Sequence, residues 1–497
     1  MKRVHFVNPT MLSKGSDSHE EEHEEEEIKK YKTYSIKVDP DQDDRASEIK
    51  LCNFERPHMR AFHMSWICFF LAFLIWFAIA PLLPEVQETL GISKREIWTS
   101  NITSVAGTAM MRFLLGPLCD KFGARILMGT VLMLASIPAA MIGLVQNKES
   151  LAIVRFFIGL GGSSFVMCQF WATRMFTKEI AGTANALVGG WGNLGGGVTQ
   201  IFMGAVLFPL FTKGFGLSNE KAWRTVSIVP AVIAFCAGAL VLRITDDCPK
   251  GNYKDMKRNG TMQEVSATAS FRSGATNLNT WILFIHYGCC FGVELTMNNA
   301  AATYFQTKFM RSTSEAAVIA SIFGIMNLFA RGIGGFSSDK MNSKMGMRGR
   351  LLVQFVLLTV EGGLIFAFAY ANTLAGAIVV LVFFSIFVQS AEGSTYGMVP
   401  YVDPPSTGSI AGIVGAGGNI GAVAFGFAFQ NLEPKEAFIV IGGCVFGAAG
   451  MCFLILIKGH RGLVCGTDND VVRNAWQNPN NPAPEKQGLT VPMQGNV

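Results

Sequence analysis

Charged side chains are scarce in this chain. Asp, Glu, Lys and Arg make up 15% of its 497 residues, whereas hydrophobic residues make up 50%. A soluble protein of ordinary composition carries about 25% charged residues. The formal net charge of +5 comes from basic residues spread over several short polar segments rather than from one patch. The composition therefore argues against a soluble domain and against a nucleic-acid partner, and it indicates a membrane protein.

Motifs of catalysis and of metal binding are also missing. The eleven cysteines are scattered, mostly inside apolar runs, and the adjacent pair Cys289 and Cys290 has no partner ligands at metal-site spacing. No nucleophile–base pair and no phosphate-binding loop occurs outside the apolar runs. About 60 polar residues precede the first apolar run, so no cleavable signal peptide is visible. We expect no enzyme activity, no metal and no cofactor.

What the chain does contain is apolar runs of roughly 20 residues, the length that crosses a bilayer. They predict an all-α membrane protein of twelve transmembrane helices in a 6+6 arrangement. The runs lie at about 61–84, 98–117, 126–146, 150–174, 180–210, 225–244, 279–305, 315–336, 349–371, 374–398, 408–430 and 436–458. The fifth run is interrupted by glycines, so its limits are the least defined.

Polar segments divide these runs into domains. We predict a disordered, acidic tail at residues 1–60 and a flexible tail rich in Asn, Pro and Gln at residues 459–497. The two six-helix bundles are residues 61–244 and 279–458, and a basic middle loop at residues 245–278 joins them. Basic residues concentrate in loops that fall on one side, which is the cytoplasmic side by the positive-inside rule. We therefore expect a multi-pass protein of the plasma membrane with both termini in the cytoplasm.

The pattern Arg-x3-Gly-x3-Asp-Lys occurs once in each half, inside an apolar stretch. The first copy is Arg112, Gly116, Asp120 and Lys121, and the second is Arg331, Gly335, Asp339 and Lys340. Each arginine is about 12 Å of helix from its aspartate, hence well inside the membrane. A charge there is costly, and two equivalent ones suggest one anion held between the halves. A guanidinium fork binds a planar oxyanion with two parallel hydrogen bonds.

Two glycine-rich segments form a second repeat. GGWGNLGGGVTQ surrounds Asn193 and GAGGNIGAVAFG surrounds Asn419. The 6+6 plan and the loop GPLCDKFGAR after the second run resemble the major facilitator superfamily. The glycine segments, together with residues 78–85, 155–171 and 291–299, resemble the nitrate/nitrite porter family, and the last of these is similar to eukaryotic high-affinity nitrate transporters. The short middle loop favours a plant or algal type.

This resemblance implies nitrate as substrate and assigns residues to it. It places nitrate at Arg112 and Arg331, puts Asn193 and Asn419 close to it, and lines the cavity with Tyr287, Phe165 and Phe291. It also implies that the loop motif pins helix ends and sets the balance between inward and outward states. The gating residues are then Gly116, Asp120, Lys121, Arg125, Gly335, Asp339 and Lys340. By contrast, Arg155, Arg174 and Arg243 lie near ends of runs, where we expect anchoring arginines.

Nitrate import requires a driving ion. Moving one anion inward against an inside-negative potential costs about 2.3 kcal/mol per 100 mV, and two accompanying cations reverse that sign. Carboxylates inside membrane segments often carry protons. Glu294 shares a helical face with Tyr287 and Phe291, and Glu392 and Glu361 are further candidates. Pairing with an arginine is the alternative role for Glu294, and Na+ is the alternative ion.

The sequence predicts a proton-coupled nitrate importer working by alternating access, with nitrite as a further substrate. Two alternatives stay open: a nitrate/nitrite exchanger, which needs no proton carrier, and a nitrate sensor or scaffold whose tails bind partners. Since some eukaryotic relatives need a small accessory protein, such a partner stays open too. Apart from these, the partners are nitrate, protons and the lipid bilayer.

The predicted topology is tested with an epitope tag inserted in the middle loop, 245–277. Because the basic residues of this loop place it in the cytoplasm, antibody should label it only after the cells are permeabilised. Labelling of intact cells would overturn the topology.

Overall fold

The computed structural model describes residues 34–259, 267–403 and 407–468. Its helices are α1 His58–Trp76, α2 Leu83–Leu90, α3 Lys94–Phe122, α4 Ala124–Met141, α5 Lys148–Gly159, α6 Ser164–Met175, α7 Lys178–Thr199, α8 Asn219–Val226, α9 Ile228–Ile244, α10 Tyr253–Arg258, α11 Ala267–Thr276, α12 Leu278–Phe309, α13 Thr313–Ile325, α14 Ala330–Met345, α15 Met347–Ala369, α16 Leu374–Val402, α17 Thr407–Asn431 and α18 Pro434–Met451. The predicted all-α architecture is confirmed.

Eleven helical stretches among the described residues are long and apolar enough to cross a membrane. They are His58–Leu90, Ala124–Leu144, Lys148–Met175, Thr183–Gly214, Asn219–Ile244, Leu278–Phe309, Thr313–Asn342, Met347–Ala369, Leu374–Val399, Ser409–Asn431 and Pro434–Leu454. The remaining long helix, α3, has 29 residues, and it is less apolar because Arg112 and several Ser, Thr and Asn residues lie within it. The count of twelve spans stays a prediction.

The two helical stretches that carry the repeated arginines, α3 in the first half and α13 followed by α14 in the second, begin in the same way. Ser93 caps α3 and Ser312 caps α13, and each forms a capping box with a glutamate three residues later. A capping box satisfies amide groups that the first helical turn leaves unpaired. Each serine stands nineteen residues before the arginine of its half. The internal repeat therefore includes the capped start of each stretch as well as its arginine.

Helix breaks distinguish the two halves. The second-half stretch is interrupted, because α13 gives way to a 3₁₀ turn at Met326–Leu328 and Phe329 leaves the helical region at φ −135°. Helix α14 then starts just before Arg331. In the first half α3 is continuous, and the break lies instead between α5 and α6, in the 3₁₀ turn Leu160–Ser163. Both breaks adjoin the buried arginines.

Close backbone approach joins the halves. A Cβ atom added at Gly197 of α7 would lie 2.6 Å from the backbone of Gly324 in α13. Only glycine permits helices to approach so closely. Helix α17 of the second half packs along α3 of the first half and along α12. The interface between the halves is thus built around the glycine-rich segments.

The prediction of disorder is wrong for residues 34–60. Strands β1 Val38–Asp39 and β2 Arg45–Ala46 pair as an antiparallel hairpin, and Ala46 also bridges to Phe176. Arg56 forms a two-bond ion pair with Asp246 beyond α9. The order comes from partners in distant loops, which composition does not reveal. Residues 1–33 and 469–497, the remainder of the predicted tails, lie outside the described residues.

Polar contacts at the motif loops tie helix ends together. Asp247 accepts hydrogen bonds from the backbone N–H of Arg125 at 3.0 Å and of Tyr253 at 3.2 Å, and its side chain lies 3.8 Å from the Arg125 guanidinium. Burial raises the pKa of the Asp247 carboxyl, and Arg125 opposes that rise. In the second half, Asp339 pairs with Arg350 at 2.7 Å.

The two glycines of the motif lie in open surroundings. A Cβ added at Gly116 would meet nothing within 4 Å, and one at Gly335 would lie 3.9 Å from Ala186. Lys340 lies 5.8 Å from the Phe336 ring centroid. The side chains of Asp120 and Lys121 lie outside what the structure describes.

Replacing Asp247 by Ala should destabilise the protein. The change leaves two buried N–H groups without acceptors, at a cost of about 1–3 kcal/mol each. We expect a lower melting temperature of the purified protein than for wild type. Asp255→Ala is the matched control, since Asp255 is exposed and pairs only with Arg258 at 3.6 Å. Equal melting temperatures for the two variants would contradict the proposed role of Asp247.

Candidate functional site

The two repeated arginines converge on one aromatic ring. The Arg112 Cζ atom lies 5.1 Å from the ring centroid of Phe291, and the Arg331 Cζ atom lies 5.8 Å from it. Arg112 is fully buried and Arg331 is 3% exposed. The repeat thus places one guanidinium from each half beside the same point of α12, at the interface between the bundles.

Arg112 has no carboxylate partner among the described residues. Its Nη1 donates to the carbonyl oxygen of Gly415 at 2.6 Å, its Nη2 donates to that of Gly162 at 3.3 Å, and its Nε is unpaired. The guanidinium also lies 4.8 Å from the Phe165 ring centroid. Carbonyl dipoles and ring faces only partly offset a buried positive charge. Arg112 is therefore a cation that still lacks an anion.

Arg331 has a carboxylate partner. Its Nη2 donates to Glu392 of α16 in a buried ion pair, and its Nη1 donates to the Tyr287 hydroxyl at 3.4 Å. The Nε is again unpaired. A buried arginine that has both a carboxylate and a phenol within reach is well satisfied. The two arginines are thus equivalent in sequence but different in charge balance.

Each arginine packs against the glycine-rich segment of the opposite half. A Cβ added at Gly415 would lie 3.7 Å from Arg112 Nη1 and 2.8 Å from the Tyr396 hydroxyl. One added at Gly189 would lie 3.6 Å from Arg331 Nη1, and one at Gly190 would lie 3.6 Å from its Cβ. These glycines leave room for the guanidinium groups. Each half therefore contributes one arginine to the site and provides the glycine-rich surface against which the other arginine packs.

The two motif asparagines are buried and unsatisfied. Asn193 and Asn419 have no exposed surface, and neither the oxygen nor the nitrogen of either amide has a hydrogen-bond partner. Asn193 follows Gly189 by one helical turn, and Asn419 follows Gly415 by one turn, so each lies on the helix face that meets an arginine. Buried amides normally find partners. Four unpaired polar atoms are therefore available to a ligand.

Aromatic rings form one wall of the site. Tyr287 stacks on Phe291 with centroids 5.0 Å apart, and Phe165 stacks on Phe291 at 6.2 Å. Tyr396 was not predicted, yet its ring meets Tyr287 at 4.9 Å and Phe165 at 5.5 Å. The missed signal is its position one turn after Glu392 on the same helix. The structure therefore brings together all three predicted aromatics and adds a fourth.

The three candidate carboxylates lie in different surroundings. Glu392 is paired with Arg331, as described above. Glu294 is buried and accepts a hydrogen bond from Asn327 Nδ2 at 3.0 Å, and its second oxygen is unpaired. Glu361 is buried with both oxygens unpaired, and its electrostatic neighbours are Cys289 and Cys290. Glu392 and Glu294 belong to the arginine site, whereas the described contacts do not connect Glu361 to it.

Arg155 does not fit the prediction of an anchoring arginine. It is 1% exposed and bonds to Ser100, Asn101 and Asn299. Its position near the end of the run misled the prediction, because its polar partners come from α3 and α12. Arg243 is exposed at the end of α9, as expected. Arg174 is partly buried and lies over the rings of Phe170 and Tyr253.

Known proteins resemble this chain both in sequence and in fold. A profile of the Major Facilitator Superfamily matches residues 65–426. The protein is similar in fold to a bacterial homologue of the human lysosomal transporter Spinster in an inward-facing, occupied conformation. The TM-score is 0.61 at 15% identity, and the match covers 80% of this chain and 97% of that one. This likeness concerns the fold alone.

Sequence relatives are more specific. The high affinity nitrate transporter 2.5 of Arabidopsis thaliana is 36% identical over 436 residues, which is 87% of this chain and 86% of that protein. The nitrate transporter 2.2 of Chlamydomonas reinhardtii is 38% identical over 418 residues, or 81% and 80%. The nitrate/nitrite transporter NrtP of Picosynechococcus sp. is 27% identical over 447 residues, or 73% and 83%. The chain belongs to the nitrate/nitrite porter family of the major facilitator superfamily, with plant and algal high-affinity nitrate transporters among its relatives.

Proposed function

We propose that this protein imports nitrate by alternating access, as a proton symporter, with the anion held between Arg112 and Arg331. The observation that carries the proposal is the convergence of both guanidinium groups on the Phe291 ring. We further propose nitrite as a second substrate and the plasma membrane as its location, with both termini in the cytoplasm. The names of the relatives support the nitrate and nitrite assignments.

The charge balance of the site suits one monovalent anion. Two buried guanidinium groups face a single carboxylate in direct contact, that of Glu392. With Glu294 in its protonated, neutral form, one positive charge is left over, and a buried charge without a counter-ion is costly. Nitrate supplies one negative charge and three oxygens in a plane, which matches the donor forks of two arginines. The unpaired amides of Asn193 and Asn419 add further donors.

Alternating access would use the interface between the bundles. The proposed anion site lies where the halves meet, and glycines there bring the helix backbones of the two halves close together. Rocking of one half against the other would expose the site to each side in turn. Of the side-chain contacts between halves, several lie near the start of α3, for example Gln430 to Thr99 at 2.6 Å.

Proton coupling would operate through the Arg331–Glu392 pair. Nitrate that binds Arg331 competes with Glu392 for the same donors. A buried carboxylate that loses its cation becomes more basic, and it takes up a proton. Nitrate and proton binding would therefore favour each other, as symport requires. Glu294 is the second candidate, because it interacts electrostatically with Arg331 and has one free oxygen.

The arginine clamp is tested by Arg112→Lys and Arg331→Lys. Lysine keeps the charge but loses the planar fork, and lost charge-assisted hydrogen bonds cost about 1.5–3 kcal/mol. We expect nitrate uptake at low concentration to fall about 10- to 100-fold in each variant. Arg243→Lys is the matched control and should transport normally. Wild-type uptake by both variants, at equal surface expression, would refute the clamp.

Coupling is tested by recording currents from Glu392→Gln and Glu294→Gln across a pH series. Glutamine keeps the shape of the carboxyl but carries no charge and binds no proton. We expect Glu392→Gln to abolish the inward current that rises at acidic pH, while nitrate–nitrate exchange continues. Glu361→Gln, outside the site, should behave like wild type. If Glu392→Gln retains the pH-dependent current and Glu294→Gln loses it, Glu294 is the carrier. Electroneutral nitrate/nitrite exchange by the wild-type protein would favour the exchanger instead.

A further inference from the structure

A second buried arginine cluster lies between the halves, away from the proposed clamp. We call it the Arg155 cluster; its members are Arg155 of α5, Ser100 and Asn101 of α3, Asn298 and Asn299 of α12, and Gln200. Each of these side chains is at most 5% exposed. The nitrate function proposed above assigns no role to these residues.

The charge of Arg155 is not compensated. Its Nη1 donates to Ser100 Oγ at 2.9 Å and to Asn101 Oδ1, and its Nη2 donates to Asn299 Oδ1 at 3.0 Å. Its Nε has no partner. None of the carboxylates that the structure describes lies within 4 Å of the guanidinium. A buried cation held only by neutral oxygens remains an attractive position for an anion.

Further polar atoms of the cluster are also unpaired. Asn298 Nδ2 and Gln200 Oε1 have no hydrogen-bond partner, although both residues are buried. The remaining bond of Gln200 runs from its Nε2 to the Asn298 carbonyl oxygen at 2.9 Å. Buried polar atoms of this kind normally bind protein, water or ligand. Asn298 adjoins Asn299 in the chain, so one unpaired amide donor lies on the same turn of α12 as the residue that receives Arg155.

The cluster has a firm side and a movable side. Arg155, Ser100 and Asn101 belong to the first half, where α3 and α5 are in backbone contact at Ser104 and Gly159. Asn299 belongs to the second half. When the halves separate at this point, Arg155 loses the oxygen of Asn299 and one Nη group becomes free. An oxyanion can then occupy the place that the amide oxygens hold in the closed arrangement.

The position of the cluster follows from helix geometry. Asn101 precedes Arg112 by eleven residues on one continuous helix, which is about 16 Å. The cluster lies toward the start of α3, and this side is extracellular in the predicted topology. An anion arriving from outside would meet Arg155 before it reaches the clamp.

We propose that the Arg155 cluster is a second binding site for a small monovalent oxyanion, which holds nitrate on its way to the Arg112–Arg331 clamp. Arg155 supplies the fork, and the amide groups of Asn101 and Asn299 turn to donate to the anion, for which Asn299 gives up the bond from its Nδ2 to the Leu295 carbonyl oxygen. The proposal rests on nitrate transport as the function. It adds to that function a separate point of capture on the outer side.

The test is the number of nitrate ions bound per chain. Full-length protein in lipid nanodiscs is dialysed to equilibrium against ¹⁵N-nitrate, and the bound ion is counted by mass spectrometry. We expect two ions in wild type and in the control Arg243→Gln. Arg155→Gln should bind one, and so should the double variant Arg112→Gln/Arg331→Gln. The triple variant should bind none.

The outcomes separate this proposal from the proposed function. One ion in wild type and none in the double variant would refute the second site and leave the clamp intact. No binding by wild type would refute both. A purely structural role for Arg155 would change the melting temperature but not the stoichiometry. If Arg155→Gln does not fold, Asn299→Asp decides, because its carboxylate would neutralise Arg155 and should remove the same ion.

Discussion

The structure depends on keeping two guanidinium groups buried in the middle of a membrane protein. A charge in this position is expensive, and the chain offers Arg112 no carboxylate within the described residues. Each arginine is instead received by the glycine-rich segment of the other half, with Gly415 against Arg112 and Gly189 against Arg331. Neither half can complete the site alone. The same glycine-rich segments that admit the arginines also form the interface between the halves, so in the proposed cycle anion binding and relative motion would use one surface.

The halves are related but not equivalent. Arg112 belongs to an unbroken helix of 29 residues, whereas Arg331 follows a break at Phe329. Arg331 has an ion-pair partner in Glu392, and Arg112 has none among the described residues. In the proposed cycle, Arg112 would stay in place and bind the anion, whereas Arg331 would exchange Glu392 for the anion. This division of roles is what a coupled cycle needs, because one contact stays in place while the other changes.

Much of the fold was predictable, since it follows from run length and from an internal repeat. The depth of Arg112 and Arg331 followed from spacing, and the family resemblance supplied Tyr287, Phe165 and Phe291. Partner choice was not predictable. The sequence did not show that Glu392 rather than Glu294 would pair with Arg331, or that Tyr396 would complete the aromatic wall. Such contacts join helices far apart in the chain, and their choice depends on how the helices rotate and tilt.

The same limit explains the two clear errors. Arg155 was assigned to an interface because it stands close to the end of a run, although its partners come from α3 and α12. The hairpin of residues 38–46 was taken for disordered chain because it is polar and acidic. Its order depends on contacts with the loop after α9. In both cases short-range composition was outweighed by long-range partners.

The segments that the predicted topology places in the cytoplasm are divided between the two bundles. The hairpin, Arg56 and α10 are fastened to the first bundle through Asp246, Asp247 and Lys250. Helix α11 is fastened to the second, where Ser273 donates to Asp403 at 2.7 Å. These contacts therefore attach each segment to one bundle. In the proposed alternating-access cycle, a partner bound to the hairpin would move with the first bundle.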